Sequence, residues 1–244
     1  MHPITALAKK NFSNLGTNPY PGRGIVAGLD QSGEYLVQIY WIMGRSGNSR
    51  NRVFRADDDT GRLYTEAADA SKVRDPSLII YNAMLERTPH FIVSNGNQTD
   101  IVAEASAPLL LNVALGGAAY EPDEPNFTQR ITAVSSLSKG RPYIQMSILR
   151  KSMLDDVYDR ALFMYVPYPG FGRCITTYAG DGDPLPPFYG DPLLMPLSGG
   201  MKEIAHAYWA ALNEENRVSL AVKFIETGNG RSDVYVINKY AQIG

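Results

Sequence analysis

Short runs of β-branched and aromatic residues, broken by turn chemistry, dominate both ends of the chain. Residues 24–29 (GIVAGL) and 34–42 (EYLVQIYWI) flank DQSG, whose Asp, Ser and Gly suit a tight reversal, so this stretch predicts a β-hairpin. Residues 50–56 (RNRVFRA) and 61–67 (GRLYTEA) predict two more strands around the acidic turn DDDTG, and 90–96 (HFIVSNG) a strand running into a glycine turn. From Asp100 to Tyr120 the pattern becomes Ala- and Leu-rich and predicts helix, with a break near Pro108 because proline lacks the N–H that a helix interior needs. Strands are predicted again at 129–137, 142–149, 160–167 and 173–179. Residues 181–200 are too rich in proline and glycine for a regular element and predict an ordered loop or lid. In 201–216, Ile204, Tyr208, Trp209 and Leu212 recur at helical spacing, the stripe of one amphipathic helix packed on a sheet. Residues 218–227 and 232–240 predict a closing hairpin through GNGR.

Strands grouped at both ends, with helical sequence in the middle and late, predict an α+β fold with mainly antiparallel sheet; a doubly wound parallel fold would alternate strand and helix throughout. No repeat or long linker divides the 244 residues, so one domain is expected, with 1–20 as a leader before the first strand. With 44% hydrophobic and 20% charged residues the composition is globular. No apolar run approaches the ~20 residues that span a bilayer. The N-terminal lysines follow the short apolar stretch, unlike a secretory signal, so a cytoplasmic protein without membrane contact is expected. The 23 basic and 25 acidic residues give a formal net charge of −2, which lacks the basic excess of a nucleic-acid binder. Cys174 is the sole cysteine and His2, His90 and His206 are scattered, so no intrachain disulfide, metal site or cofactor is expected. The glycines of GRGIVAG enter a strand with the wrong spacing for a dinucleotide fingerprint, and Walker A and G-x-S-x-G motifs are absent.

Against this near-neutral background, residues 43–55 (MGRSGNSRNRVFR) gather four arginines and no acid. A solvated turn would account for them, and so would a small anionic ligand. Other polar clusters are hard to explain as packing: NPYPGRG (18–24), DPSLIIYNAM (75–84), VSNGNQTD (93–100) and YEPDEPNFTQRI (120–131). Taken in order with GRSGNSRNR (44–52), they resemble the archaeal-type IMP cyclohydrolase family, which shows Y-x-G-R, S-R-x-x-x-N-R, N-P-Y-x-A-Y-N, V-S-N-G-x-x-T-D and Y-E-x-D-E-x-N-x-x-R-I. The likeness covers roughly the first 130 residues and fades beyond Ser135 to a T-Y in CITTYAG. The third motif departs from the family: Pro76 and the Tyr81–Asn82 pair are kept, and the first tyrosine is lost.

The resemblance implies a four-layered αββα sandwich like that of N-terminal-nucleophile hydrolases, without the self-processed nucleophile; no Ser, Thr or Cys follows Met1. It implies an enzyme, a cyclohydrolase that closes 5-formamidoimidazole-4-carboxamide ribonucleotide to IMP with loss of water, the last step of purine synthesis, and a homo-oligomer. The alternative is a purine-nucleotide-binding or regulatory protein on the same scaffold. The ring closure is intramolecular, so it needs the two groups held coplanar, a base for the amide nitrogen and donors for the oxygen that becomes negative. By the resemblance the catalytic groups are Arg52 and Tyr81, which polarise the formyl oxygen, and Glu121, which accepts the amide proton. Asp123 and Glu124 lie beside Glu121, and which of the three acids faces the substrate is open. The phosphate calls for Arg23, Arg50 and Arg130, helped by Ser49 and Asn51. Arg50 and Arg52, two apart on an extended segment, are expected to share one face. Asn95 and Asp100 are candidates for ribose hydroxyls or the carboxamide, and Asn95 equally for a turn. As groups of the site, Arg52 and Glu121 are expected to be replaceable without loss of the fold.

Overall fold

The computed structural model describes residues 3–73, 76, 79–105, 111–137, 141–154 and 156–240. In chain order its elements are α1 (Pro3–Thr17), β1 (Gly24–Leu29), β2 (Tyr35–Met43), α2 (Gly47–Arg50), β3 (Val53–Asp57), β4 (Arg62–Glu66), β5 (Asn82–Arg87) and β6 (His90–Ser94). They continue with α3 (Gln98–Glu104), α4 (Leu111–Ala114), β7 (Arg130–Ser136), β8 (Tyr143–Lys151), β9 (Tyr158–Tyr165), β10 (Phe171–Thr176), β11 (Leu193–Pro196), α5 (Met201–Ala211), β12 (Arg217–Glu226) and β13 (Ser232–Asn238).

The strands form a six-stranded sheet, ordered β11-β10-β1-β2-β12-β13, and a seven-stranded sheet that is a meander from β3 to β9. Among the described residues all pairings between these strands are antiparallel. This α+β, antiparallel class is the one the sequence pattern predicts.

Period-2 alternation sends side chains to opposite faces of each sheet and so builds separate cores. Ile25, Tyr40 and Ile42 of the first sheet pack with Met84, Val93 and Met146 of the second. The other face of the first sheet, with Val26, Ile39, Trp41 and Leu220, is covered by Leu15 of α1 and by Ile204 and Tyr208 of α5. Ile92 and Val134 of the second sheet pack under Val102 of α3 and Leu111 of α4. Burial on both faces explains why GIVAGL and YLVQIYWIM are continuous apolar runs.

Two local expectations change, and a third falls partly outside the described residues. Residues 3–17, expected as a leader, form α1, whose narrow stripe of Ala8, Phe12 and Leu15 docks on the sheet, with the Phe12 ring 5.0 Å from that of Tyr208. Residues 181–200, expected to lack a regular element, contain β11, which pairs with β10 at the sheet edge. The helical stretch from Asp100 to Tyr120 is described as α3 and α4, and the expected break near Pro108 lies outside the described residues. No helix among the described residues is long and apolar enough to cross a membrane.

One ion pair crosses between the sheets. Lys223 of β12 is fully buried, and its Nζ bonds the Glu86 carboxylate of β5 and the Gly61 carbonyl. Burial lowers the Lys223 pKa, and the Glu86 charge opposes the shift. Lys223→Ala strands a carboxylate between the sheets and is expected to cost about 3–5 kcal/mol in urea unfolding. Lys223→Met combined with Glu86→Leu, which removes both charges, is expected to cost much less.

Candidate active site

The polar motifs converge because they all sit at one end of the two sheets. Arg23 precedes β1, Arg52 precedes β3, Tyr81 precedes β5, Asn95 follows β6, Arg130 begins β7 and Tyr178 follows β10. Between them opens a cavity of about 260 Å³ whose wall includes Tyr20, Arg23, Arg45, Ser49, Arg52, Glu121, Asp123, Thr128 and Tyr178, with Met43, Ile79 and Leu185 as its apolar part.

Arg23 is placed by a tight turn. Gly22 has a φ of 71°, and a Cβ there would lie 2.2 Å from Thr177 Oγ1. The Arg23 N–H donates to Thr177 Oγ1 at 3.0 Å, and its carbonyl accepts from the Thr177 N–H at 2.8 Å. From this anchor its Nη1 reaches Glu121 Oε1 at 2.7 Å and donates to the Asn95 carbonyl at 3.1 Å. Arg130 Nη1 reaches the same carboxylate oxygen at 2.8 Å and the same carbonyl at 3.4 Å. Asn95 itself is fixed on every side. Its Nδ2 donates to Gln129 O at 2.8 Å, and its Oδ1 accepts from Gln98 Nε2 at 2.7 Å and the Ile131 N–H at 2.9 Å.

Two guanidiniums thus share one buried carboxylate, which leaves this cluster with an excess positive charge. Burial lowers the Arg130 pKa, with the Glu121 carboxylate opposing it. At Arg23 burial acts in the same sense, yet the charge and hydrogen bond of Glu121 leave the pKa above the ordinary value. A guanidinium starts so far above neutrality that both stay charged.

Arg52 carries a second positive charge. It is only 4% exposed, its Nε donates to Ser49 O at 2.9 Å and its Nη2 to Met43 O at 3.4 Å. Among the described residues no carboxylate pairs with it within 4.0 Å. A guanidinium buried on a cavity wall without an acid is a costly arrangement that an anionic ligand would relieve.

Arg50 does not share this face, which corrects the expectation of an extended segment. Ser46 caps the short turn α2, with its Oγ accepting from the Ser49 N–H at 3.1 Å. Arg50 closes that turn and leaves the cavity, its Nε donating to Gly44 O at 2.9 Å and its Nη2 reaching Asn216 Oδ1 at 3.3 Å and Glu215 at 3.6 Å. Asn51 also turns away; it exchanges hydrogen bonds with the Asp69 backbone at 2.8 and 2.7 Å and so pins the loop after β4. Asp100 accepts from Asn82 Nδ2 at 2.6 Å, and neither residue lines the cavity. Glu124 is exposed and outside the wall, whereas Glu121 and Asp123 both line it.

Tyr81 is buried behind the arginine pair. Its hydroxyl is 2.6 Å from that of Tyr40, and Tyr81, expected from the sequence at the formyl oxygen, is not among the residues that line the cavity. Burial raises the Tyr40 pKa well above its ordinary value.

Several residues on or near the cavity wall had no signal of their own in the sequence. Tyr40 hides inside an apolar run, and Arg45 was one of four arginines with nothing to single it out. Arg45 Nη1 pairs with Asp181 Oδ1 at 2.5 Å and donates to Gly182 O at 3.0 Å, with its guanidinium 5.0 Å from the Tyr20 ring centre. The Tyr20 and Tyr178 rings stack with centres 6.0 Å apart. The T-Y of CITTYAG was the one signal for Tyr178.

A family model described as IMP cyclohydrolase-like protein matches residues 20–229. No curated protein matches the chain.

Proposed function

Since the chain belongs to the IMP cyclohydrolase-like family, we propose that it closes 5-formamidoimidazole-4-carboxamide ribonucleotide to IMP with loss of water, as a single domain on an αββα scaffold like that of N-terminal-nucleophile hydrolases. The observation that carries this reading is Arg52, a buried guanidinium without an acid partner on the wall of a cavity that also holds a carboxylate. The nucleotide brings about two negative charges on its phosphate and develops another on the formyl oxygen, and the site is set up to receive anions at two depths.

At the mouth, Arg45 and Ser49 take the phosphate, the dianion displacing Asp181 from the Arg45 fork. Deeper in, Arg52 donates to the formyl oxygen as the carboxamide nitrogen attacks the formyl carbon. Glu121 Oε1 is held by Arg23 and Arg130, which leaves Oε2 to accept the amide N–H and draw off its proton. Tyr81, bonded to Tyr40, supports the positive pair from behind. Holding both reacting groups in one plane supplies much of the acceleration, because oriented intramolecular reactions gain up to ~7–11 kcal/mol.

The test is incubation of the purified protein with the formamido nucleotide, with and without a chelator, following IMP by absorbance. IMP is expected in both conditions. IMP bound without any product formed would make the chain a nucleotide-binding protein instead, and neither binding nor product would remove the reading.

A further inference from the structure

The cavity wall also carries a hydrogen-bonded chain that the steps above leave unused. Asp123 Oδ1 accepts from the Thr128 N–H at 2.6 Å, Asp123 Oδ2 bonds the Thr128 hydroxyl, and that hydroxyl bonds the phenol of Tyr178. All three residues line the cavity. The loop that holds them is closed by the Glu121 N–H donating to Thr128 O at 2.9 Å, so the chain is fixed relative to Glu121.

A threonine hydroxyl has a single hydrogen, and this gives the chain two directions. When Asp123 is ionised, Thr128 donates to the carboxylate and Tyr178 donates to Thr128, so the phenol offers the cavity only lone pairs. When Asp123 is protonated, its O–H donates to Thr128, Thr128 donates to Tyr178, and the phenolic hydrogen is released toward the cavity. We propose that Tyr178 is a further hydrogen-bond donor to the reacting oxygen, and that Asp123 and Thr128 are positioning residues whose proton decides whether that donor faces the ligand. The role at the reacting oxygen rests on the ring closure proposed above; the coupling between Asp123 and Tyr178 does not.

The groups facing Asp123 raise its pKa on balance. Burial raises its pKa and the Glu121 charge acts in the same sense, while the bonds from Thr128 and the Arg23 charge oppose them. Arg45, Arg52, Tyr20 and Tyr178 lie on the same cavity wall. Burial also pushes the Tyr178 phenol above its ordinary range, so it keeps its hydrogen while Asp123 titrates. The sign follows: donation by Tyr178 is present at low pH and is lost as pH rises through the Asp123 pKa.

Asp123→Asn separates the alternatives, because an amide donates permanently to Thr128 and still accepts from the Thr128 N–H. In ligand-free protein labelled with ¹³C at tyrosine Cζ and at aspartate carboxyls, the Tyr178 resonance is expected to move with pH at the same midpoint as the Asp123 carboxyl. In Asp123→Asn that movement is expected to vanish. A Tyr178 resonance indifferent to the Asp123 titration, or one that still moves in the variant, overturns the proposal whether or not the protein turns over the nucleotide. In turnover, Asp123→Asn is expected to remove the basic limb of the kcat profile with KM little changed, and Tyr178→Phe to lower kcat by about 100-fold, as for loss of one oxyanion donor. Unchanged kcat in Tyr178→Phe overturns its role as donor. Absence of product in the unsubstituted protein would instead count against the ring closure, with the resonance titration still deciding the coupling.

Discussion

Arg52→Met is expected to reduce turnover by about 100- to 1,000-fold, the range seen when a single donor to a developing oxyanion is removed, while the protein keeps its melting temperature. The two effects separate because Arg52 has no carboxylate to orphan. Its bonds go to the carbonyls of Ser49 and Met43, and Met43 and Ser49 both line the cavity, where water can replace the lost donors. Removing a buried cation without an acid partner also removes its desolvation cost, a common trade of stability for function. Arg52→Lys keeps the charge and loses the fork, so it is expected to fall between the two proteins in turnover. Thermal melts paired with the IMP absorbance assay check this; a large fall in melting temperature alongside the loss of activity would assign Arg52 a structural role.

Glu121→Gln is expected to behave in the opposite way and to lose stability together with activity. The carboxylate is 4% exposed and lies between two guanidiniums at 2.7 and 2.8 Å. The amide leaves both arginines buried without a counter-charge, and breaking a buried ion pair from one side typically costs about 3–5 kcal/mol. Adding Arg130→Met to Glu121→Gln removes one of the stranded charges and is expected to recover part of that loss, since residues in one network couple. Urea unfolding of the single and double variants measures it. In place of the sequence-based expectation that Glu121 can be replaced without loss of the fold, the ion pairs predict a loss of stability, because its partners lie 98 positions upstream at Arg23 and 9 positions downstream at Arg130, a juxtaposition that only the fold creates.

The strands were legible because burial on both faces writes long apolar runs such as YLVQIYWIM, and α5 because Ile204 and Tyr208 keep helical spacing under a polar face. The helix at 3–17 was not, since its apolar stripe is thin and lysines and asparagines fill the rest of its surface. β11 escaped because an edge strand pairs on one side only, so its flanking prolines are tolerated and hide it. Within the site, the arginine-rich stretch and the YEPDE acids were visible as chemistry, but their directions were not. The mutual bonds of Ser46 and Ser49 turn residues 47–50 into a helical turn and carry Arg50 away from Arg52. Among the three acids, the loop closure between Glu121 and Thr128 places Glu121 and Asp123 on the cavity wall, with Glu124 in solvent. These are tertiary outcomes of single hydrogen bonds, which residue spacing does not encode.

The most direct measurement is a crystal structure of the protein with IMP bound. The proposed site predicts the purine in the cavity, within hydrogen-bond distance of both Arg52 and Glu121, and the phosphate at Arg45 and Ser49. A nucleotide seated elsewhere on the molecule, or one that touches neither Arg52 nor Glu121, would contradict it.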